Sequence, residues 1–175
     1  MGQPTGTSAK FAAMMKQVLL ENYTVSEDAV IETIELVCQG KIMDRVESHL
    51  KYLEPLVPKL QQADLVLFVT HSQGVPVSTM VLAQLIKDDI LASPNHRKSQ
   101  RIGILAMAGI HHGPFPAIKE SMVVKYFEAS PARELFDFND PESTCSKEYV
   151  SAAMLVLSHG VRICCVAGWF DQVHF

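Results

Sequence analysis

Short apolar runs alternate with stretches of helical spacing through the second half of the chain, a rhythm that predicts parallel strands buried between helices. The first run is Leu65-Val66-Leu67-Phe68-Val69, the second spans 101–109, and the third spans 161–167. Each has the length of a strand. Residues 75–91 carry the pattern of a helix between the first two runs. Before the third, Tyr149, Val150, Ala153, Met154 and Leu157 recur at helical spacing over 147–159, and Gly160 stands where a helix end favours positive φ.

The first sixty residues read differently. Phe11, Met14, Met15, Val18 and Leu19 share a face and predict a helix over 9–21. Val30, Ile34 and Val37 predict a second helix, begun by a cap at Ser26 and ended by Gly40. Ile42, Val46, Leu50 and Leu53 predict a third, which Pro55 and Pro58 interrupt. The expectation is one domain over 1–175, mainly helical over 1–60 and alternating strand and helix over 64–175. No repeat, low-complexity segment or linker marks a second domain.

Composition narrows the function classes. At 175 residues and 48% hydrophobic, the chain can bury a sizeable core. A net charge of −4 with only fifteen basic residues leaves no footprint for nucleic acid, and the basic stretch 95–101 reads as a solvated loop. No apolar stretch reaches the roughly twenty residues of a membrane span, and the amino terminus carries neither a signal pattern nor a myristoylation motif. The chain therefore reads as intracellular and cytoplasmic. Cys38, Cys145, Cys164 and Cys165 form no framework: the last two are strand neighbours whose side chains point to opposite faces, so the expectation is buried free thiols, with no metal and no cofactor.

The candidate chemistry lies at the ends of the strands. Ser72, in Thr70-His71-Ser72-Gln73-Gly74, stands between the first apolar run and the helix that follows, the strand, turn and helix order of a nucleophile elbow. That turn asks for small residues on either side. Gly74 supplies one, and Thr70 meets the demand in part. Asp171, in Gly168-Trp169-Phe170-Asp171-Gln172-Val173, sits at the carboxyl end of the third run, and the two are expected on a common rim of neighbouring parallel strands. Asp137 and Asp140 are weaker candidates for the acid, and Asp64 lies at the wrong end of its strand. His111 and His112, in the loop at the carboxyl end of the second run, read as structural loop residues placed to border a pocket; His71 reads as a packing or hydrogen-bonding residue, His174 as a remnant of a longer loop, and His49, His96 and His159 as helix or loop surface residues.

Three segments, the elbow at 70–74, the loop at 107–115 with its Ala-Gly-Ile-His-His-Gly-Pro, and the acid turn at 168–173, together resemble the α/β-hydrolase superfamily, and within it a fungal branch of lipase-like serine hydrolases. The resemblance implies a partial α/β-hydrolase fold: a parallel sheet flanked by helices and lacking strands at both ends. It also implies a fragment, nearly inert by itself, because such enzymes place the catalytic histidine one strand beyond the acid. The implied parent is a carboxylic-ester hydrolase acting on a small-molecule or lipid ester, with Ser72 attacking the acyl carbon, the backbone N–H of Gln73 donating to the oxyanion, and Asp171 orienting a histidine. The alternative is a pseudoenzyme or binding module that keeps the core without the chemistry. A nucleotide-binding fold has less support, since no Gly-x-Gly-x-x-Gly or Gly-Lys-Ser/Thr loop follows a strand.

Overall fold

The computed structural model describes residues 7–22, 29–92, 100–111 and 134–168. The chain forms two compact units, 1–39 and 40–175. In the first, helix α1 covers Thr7–Asn22, one residue or two longer at each end than the spacing predicts. The helix expected from Val30, Ile34 and Val37 is not there: residues 29–39 have no regular structure, and Val30 is 84% exposed. Five of those residues, Val30, Ile31, Thr33, Ile34 and Val37, are β-branched, which costs helix propensity without a packing surface to repay it. Gly40, expected to end that helix, instead leads with φ +121° into the next one.

The second unit builds one sheet and a helical layer. Helix α2 (Ile42–Leu53) is followed by a 3₁₀ turn (Glu54–Leu56) and the short α3 (Val57–Gln62), so Pro55 and Pro58 do break the helix as expected. Strand β1 (Leu65–His71) leads through a two-residue turn into α4 (Gly74–Lys87); β2 is Arg101–Met107. A 3₁₀ segment (Glu134–Asn139), α5 (Thr144–Ser158) and β3 (Arg162–Val166) complete the described elements. The sheet is parallel throughout, in the order β1-β2-β3, with Phe68 beside Ile104 and Ile104 beside Ile163.

Helix α4 is the centre of the core. Ten of its fourteen residues are buried, a helix apolar nearly all round, because β1 and β2 lie against one side while α2 and α5 cover others. Its one buried hydroxyl, on Thr79, donates back to the Val75 carbonyl at 2.9 Å. Side chains from distant positions complete the helix ends. The Glu134 carboxylate accepts from the Ile42 N–H at 2.7 Å, capping α2 from 92 residues away, where Lys41 offers no side-chain cap. Gln100 donates to the Leu60 and Ala63 carbonyls at 2.7 and 2.9 Å and so ties α3 to the start of β2. Ser143 caps α5, accepting from the Ser146 N–H at 3.1 Å, and Gly160 closes that helix at φ +75°.

Three expectations about burial are corrected. On α5 the buried face is Tyr149, Ala152 and Val156, while Val150, Met154 and Leu157 are exposed; apolar residues surround that helix, and contact with α4 selects the face. His49 is buried at 5% exposure on the inner side of α2 rather than on its surface. Cys164 and Cys165 are exposed, because β3 is an edge of the described sheet, and Cys38 and Cys145 are half-buried. Burial, with Glu134, Asp137 and Glu148 adding negative charge, pushes the Cys145 thiol up to about 12, so it stays protonated.

Leu82, fully buried, sets the stability expectation: Leu82→Ala should cost about 2–5 kcal/mol in denaturant unfolding, whereas Met154→Ala should stay within about 0.5 kcal/mol. His49 sets the pH expectation. Burial first, and the Arg45 charge second, hold its pKa below the ordinary histidine value. The native state therefore binds fewer protons there than the unfolded chain, and its contribution is complete above the ordinary value of about 6.5 and is lost as pH falls through the lowered one. Unfolding curves at pH 7.5 and 5 should differ less in His49→Leu than in the unsubstituted protein.

Candidate active site

The turn between β1 and α4 is strained at one residue. Ser72 has φ +54°, a left-handed conformation that costs a non-glycine residue about 1–2 kcal/mol. Two backbone bonds hold it. The Ser72 N–H donates to the Met107 carbonyl at 3.0 Å, one step beyond the last β1–β2 pair, and the Ser72 carbonyl accepts from the Val75 N–H at 3.1 Å. Gln73 returns at once to helical dihedrals, φ −60° and ψ −21°. The peptide joining Ser72 to Gln73 is planar and trans, so with its carbonyl turned toward Val75, the Gln73 N–H points the opposite way.

Thr70 fits this turn better than its size suggests. It is 7% exposed, and its hydroxyl donates to the Leu105 carbonyl of β2 at 3.1 Å, which satisfies the one polar atom that a glycine would lack. A Cβ placed on Gly74 meets nothing closer than Thr70 Cβ at 4.0 Å, ordinary contact. The expected demand for a small residue at 74 is thus not steric in this chain. Gln73 is also held from outside the turn: Arg45, on α2, donates from Nη1 to Gln73 Oε1 at 3.1 Å.

The end of β2 repeats the device. Ala108 has φ +46° and donates its N–H to the Val166 carbonyl of β3 at 2.7 Å, so two left-handed residues stand side by side on the carboxyl rim. Beyond Ala108 the chain folds His111 back over Gly109. A Cβ on Gly109 would sit 2.7 Å from His111 Nε2 and 3.0 Å from Val75 Cγ2, so only glycine admits both the imidazole and the first turn of α4. His111 Nδ1 lies 2.6 Å from the hydroxyl of Tyr149. Burial above all, then the nearby Cys165, pushes that phenol up to about 12, so it remains a neutral partner across the physiological range.

β1 and β3 run parallel and end on one rim, but β2 lies between them; the strands leading to Ser72 and to Asp171 are not neighbours. Next-but-one strands are about 9.6 Å apart, within the span of an interposed imidazole and its hydrogen bonds. Asp171, His112, His174 and His96 lie outside the described residues. Asp137 and Asp140 serve the start of α5: the Asp137 carbonyl accepts from the Ser143 and Ser146 hydroxyls at 2.7 and 3.2 Å, and Asp140 Oδ1 accepts from the Glu142 N–H at 2.9 Å. His71, the last residue of β1, is exposed, as is His159, whose Nδ1 lies 2.9 Å from the Leu155 carbonyl. Arg45 and Tyr149 reach the rim from elements distant in sequence, and no local pattern announced either.

A glycine pair separates these geometries. Gly74→Ala should be tolerated and add up to about 1 kcal/mol, the helix propensity difference between the two residues. Gly109→Ala should cost about 1–3 kcal/mol, because the new methyl drives His111 off Tyr149 and leaves a buried hydroxyl unbonded. Thermal unfolding of the two variants checks both signs.

The family model described as YMC0/YMC35 alpha/beta hydrolase domain matches residues 1–174. No curated protein and no solved structure matches the chain.

Proposed function

Since the chain belongs to the YMC0/YMC35 alpha/beta hydrolase domain family, we propose that it is a serine hydrolase of lipase or esterase type, cleaving an ester or related acyl bond with Ser72 as the nucleophile. The observation that carries this reading is the left-handed Ser72 at the carboxyl end of β1, immediately ahead of α4. A protein retains such strain where the surrounding bonds enforce it, and strained residues cluster at reactive positions.

Under this reading the Ser72 hydroxyl attacks the acyl carbon while a histidine takes its proton. Negative charge develops on the carbonyl oxygen. The Gln73 N–H, aimed away from the helix by the trans peptide, donates to that oxygen, and the positive end of the α4 dipole favours the same charge. Collapse of the tetrahedral intermediate expels the alcohol, protonated by the histidine, and water then releases the acid from Ser72. Asp171 is assigned to hold the histidine in the working tautomer; β3, the strand that precedes it in the sequence, ends on the rim shared by β1.

A fluorophosphonate probe tests the reading in the full-length protein. Labelling is expected at Ser72 and lost in Ser72→Ala, with hydrolysis of a p-nitrophenyl ester falling by roughly 10⁴–10⁶ in Ser72→Ala and by about 10⁴ in Asp171→Asn. A folded protein whose Ser72 stays unlabelled would leave the other function, a binding module that keeps the hydrolase core without its chemistry.

A further inference from the structure

We propose that Arg45 is a positioning residue for the Ser72 site: reaching from α2, its guanidinium holds the side chain of Gln73 and thereby adds a second restraint, beside the Val75 bond, to the peptide that faces the oxyanion. This rests on the serine-nucleophile reading above and adds to it a residue that neither the elbow nor the acid turn contains.

The turn changes from left-handed at Ser72 to right-handed at Gln73 across a single peptide bond. Its direction is the quantity that matters, because an oxyanion donor works only when aimed at the place where charge develops. The Ser72 N–H is fixed by Met107 and the Ser72 carbonyl by Val75. The second of these orients one side of the peptide that carries the Gln73 N–H, and the other side of that peptide is Gln73 itself. Gln73, half-buried, is restrained through its own side chain, and the partner is Arg45 Nη1 at 3.1 Å, 28 residues earlier in the chain.

Arg45 is itself well seated for that purpose. Its N–H donates to the Lys41 carbonyl at 3.0 Å in the first turn of α2, and the Glu134 carboxylate fixes the start of that helix by accepting from Ile42. Ile42 and Val46, flanking Arg45 on the helix, are buried at 2% and 6% exposure, so α2 cannot slide without unpacking the core. The contact thus transmits the position of a core helix to the residue after the nucleophile. A lysine at 45 keeps the charge but has neither the planar fork nor the reach of a guanidinium.

Inactivation of the full chain by a fluorophosphonate, resolved into KI and kinact, tests this. Arg45→Met is expected to lower kinact roughly 10–100-fold, the scale of a misaimed donor, with KI within about 2-fold. Arg45→Lys is expected to recover only part of the loss, and Gln73→Leu to match Arg45→Met. The double variant should be no slower than either alone, the non-additive result of one shared contact. Gln73→Leu removes the same contact without deleting any side chain of α2, so it carries the test if Arg45→Met does not fold. A kinact within 2-fold of the unsubstituted value in folded Arg45→Met or Gln73→Leu, or losses that multiply in the double variant, would overturn the assignment while Ser72 labelling stands. Absence of labelling in the unsubstituted protein brings down the nucleophile reading and this assignment together.

Discussion

The hydrogen bond from the Ser72 N–H to the Met107 carbonyl is the constraint on which the site depends. It extends the β1–β2 ladder one residue past the point where the backbone leaves strand geometry, so the sheet itself holds a residue with φ +54°. Without that bond the turn would be free to relax toward a right-handed conformation, recovering strain of about 1–2 kcal/mol. Ala108 makes the same use of Val166 on β3. The rim is therefore defined by three parallel strands in register, with the carbonyl ends of β2 and β3 each holding the turn that follows the neighbouring strand.

A rim of this kind needs a helix that cannot move. α4 starts two residues after Ser72 and is buried on nearly every side, between β1 and β2 and against α2 and α5. Its position is decided by the packing of Val75, Val77, Val81 and Leu82, all at or below 1% exposure. The core thereby places the helix start, and with it the Gln73 peptide, and the α2 side chain Arg45 reaches the same point. Under the serine-nucleophile reading, stability and chemistry share their residues: those that exclude water from the core also place the turn.

Much of this was legible in the sequence, for reasons that differ by element. The strands and α4 were readable because buried parallel strands are short continuous apolar runs, and the sharp turn at Ser72 because an apolar run followed directly by a helical pattern leaves only a few residues in which to reverse the chain. The 29–39 segment misled because apolar residues at helical spacing were also β-branched, and spacing alone carries no record of whether a packing surface exists. α5 misled in a subtler way, since Val150, Met154 and Leu157 are as apolar as Tyr149, Ala152 and Val156, and only contact with α4 chooses between them. Arg45, Tyr149 and Glu134 were illegible because their partners lie 28, 38 and 92 residues away, and a contact of that separation leaves no periodicity.

The sheet is unequal on its two faces, and the inequality separates what the site needs from what it does not. On the face carrying Val66, Phe68 and Thr70 of β1 and Ile102, Ile104 and Ala106 of β2, all three β2 residues are buried. On the other, Leu65 is 53%, Leu67 39% and Val166 49% exposed. Parallel sheets ordinarily have both faces covered, so this second face is where the fold has the least internal support. Every restraint on Ser72 described above comes from the covered side and from the rim: Met107 and Val75 directly, Arg45 through Gln73, and Thr70 through Leu105. The geometry of the elbow is consequently a property of β1, β2, α4 and α2 together. The restraints named above include no side chain of the open face.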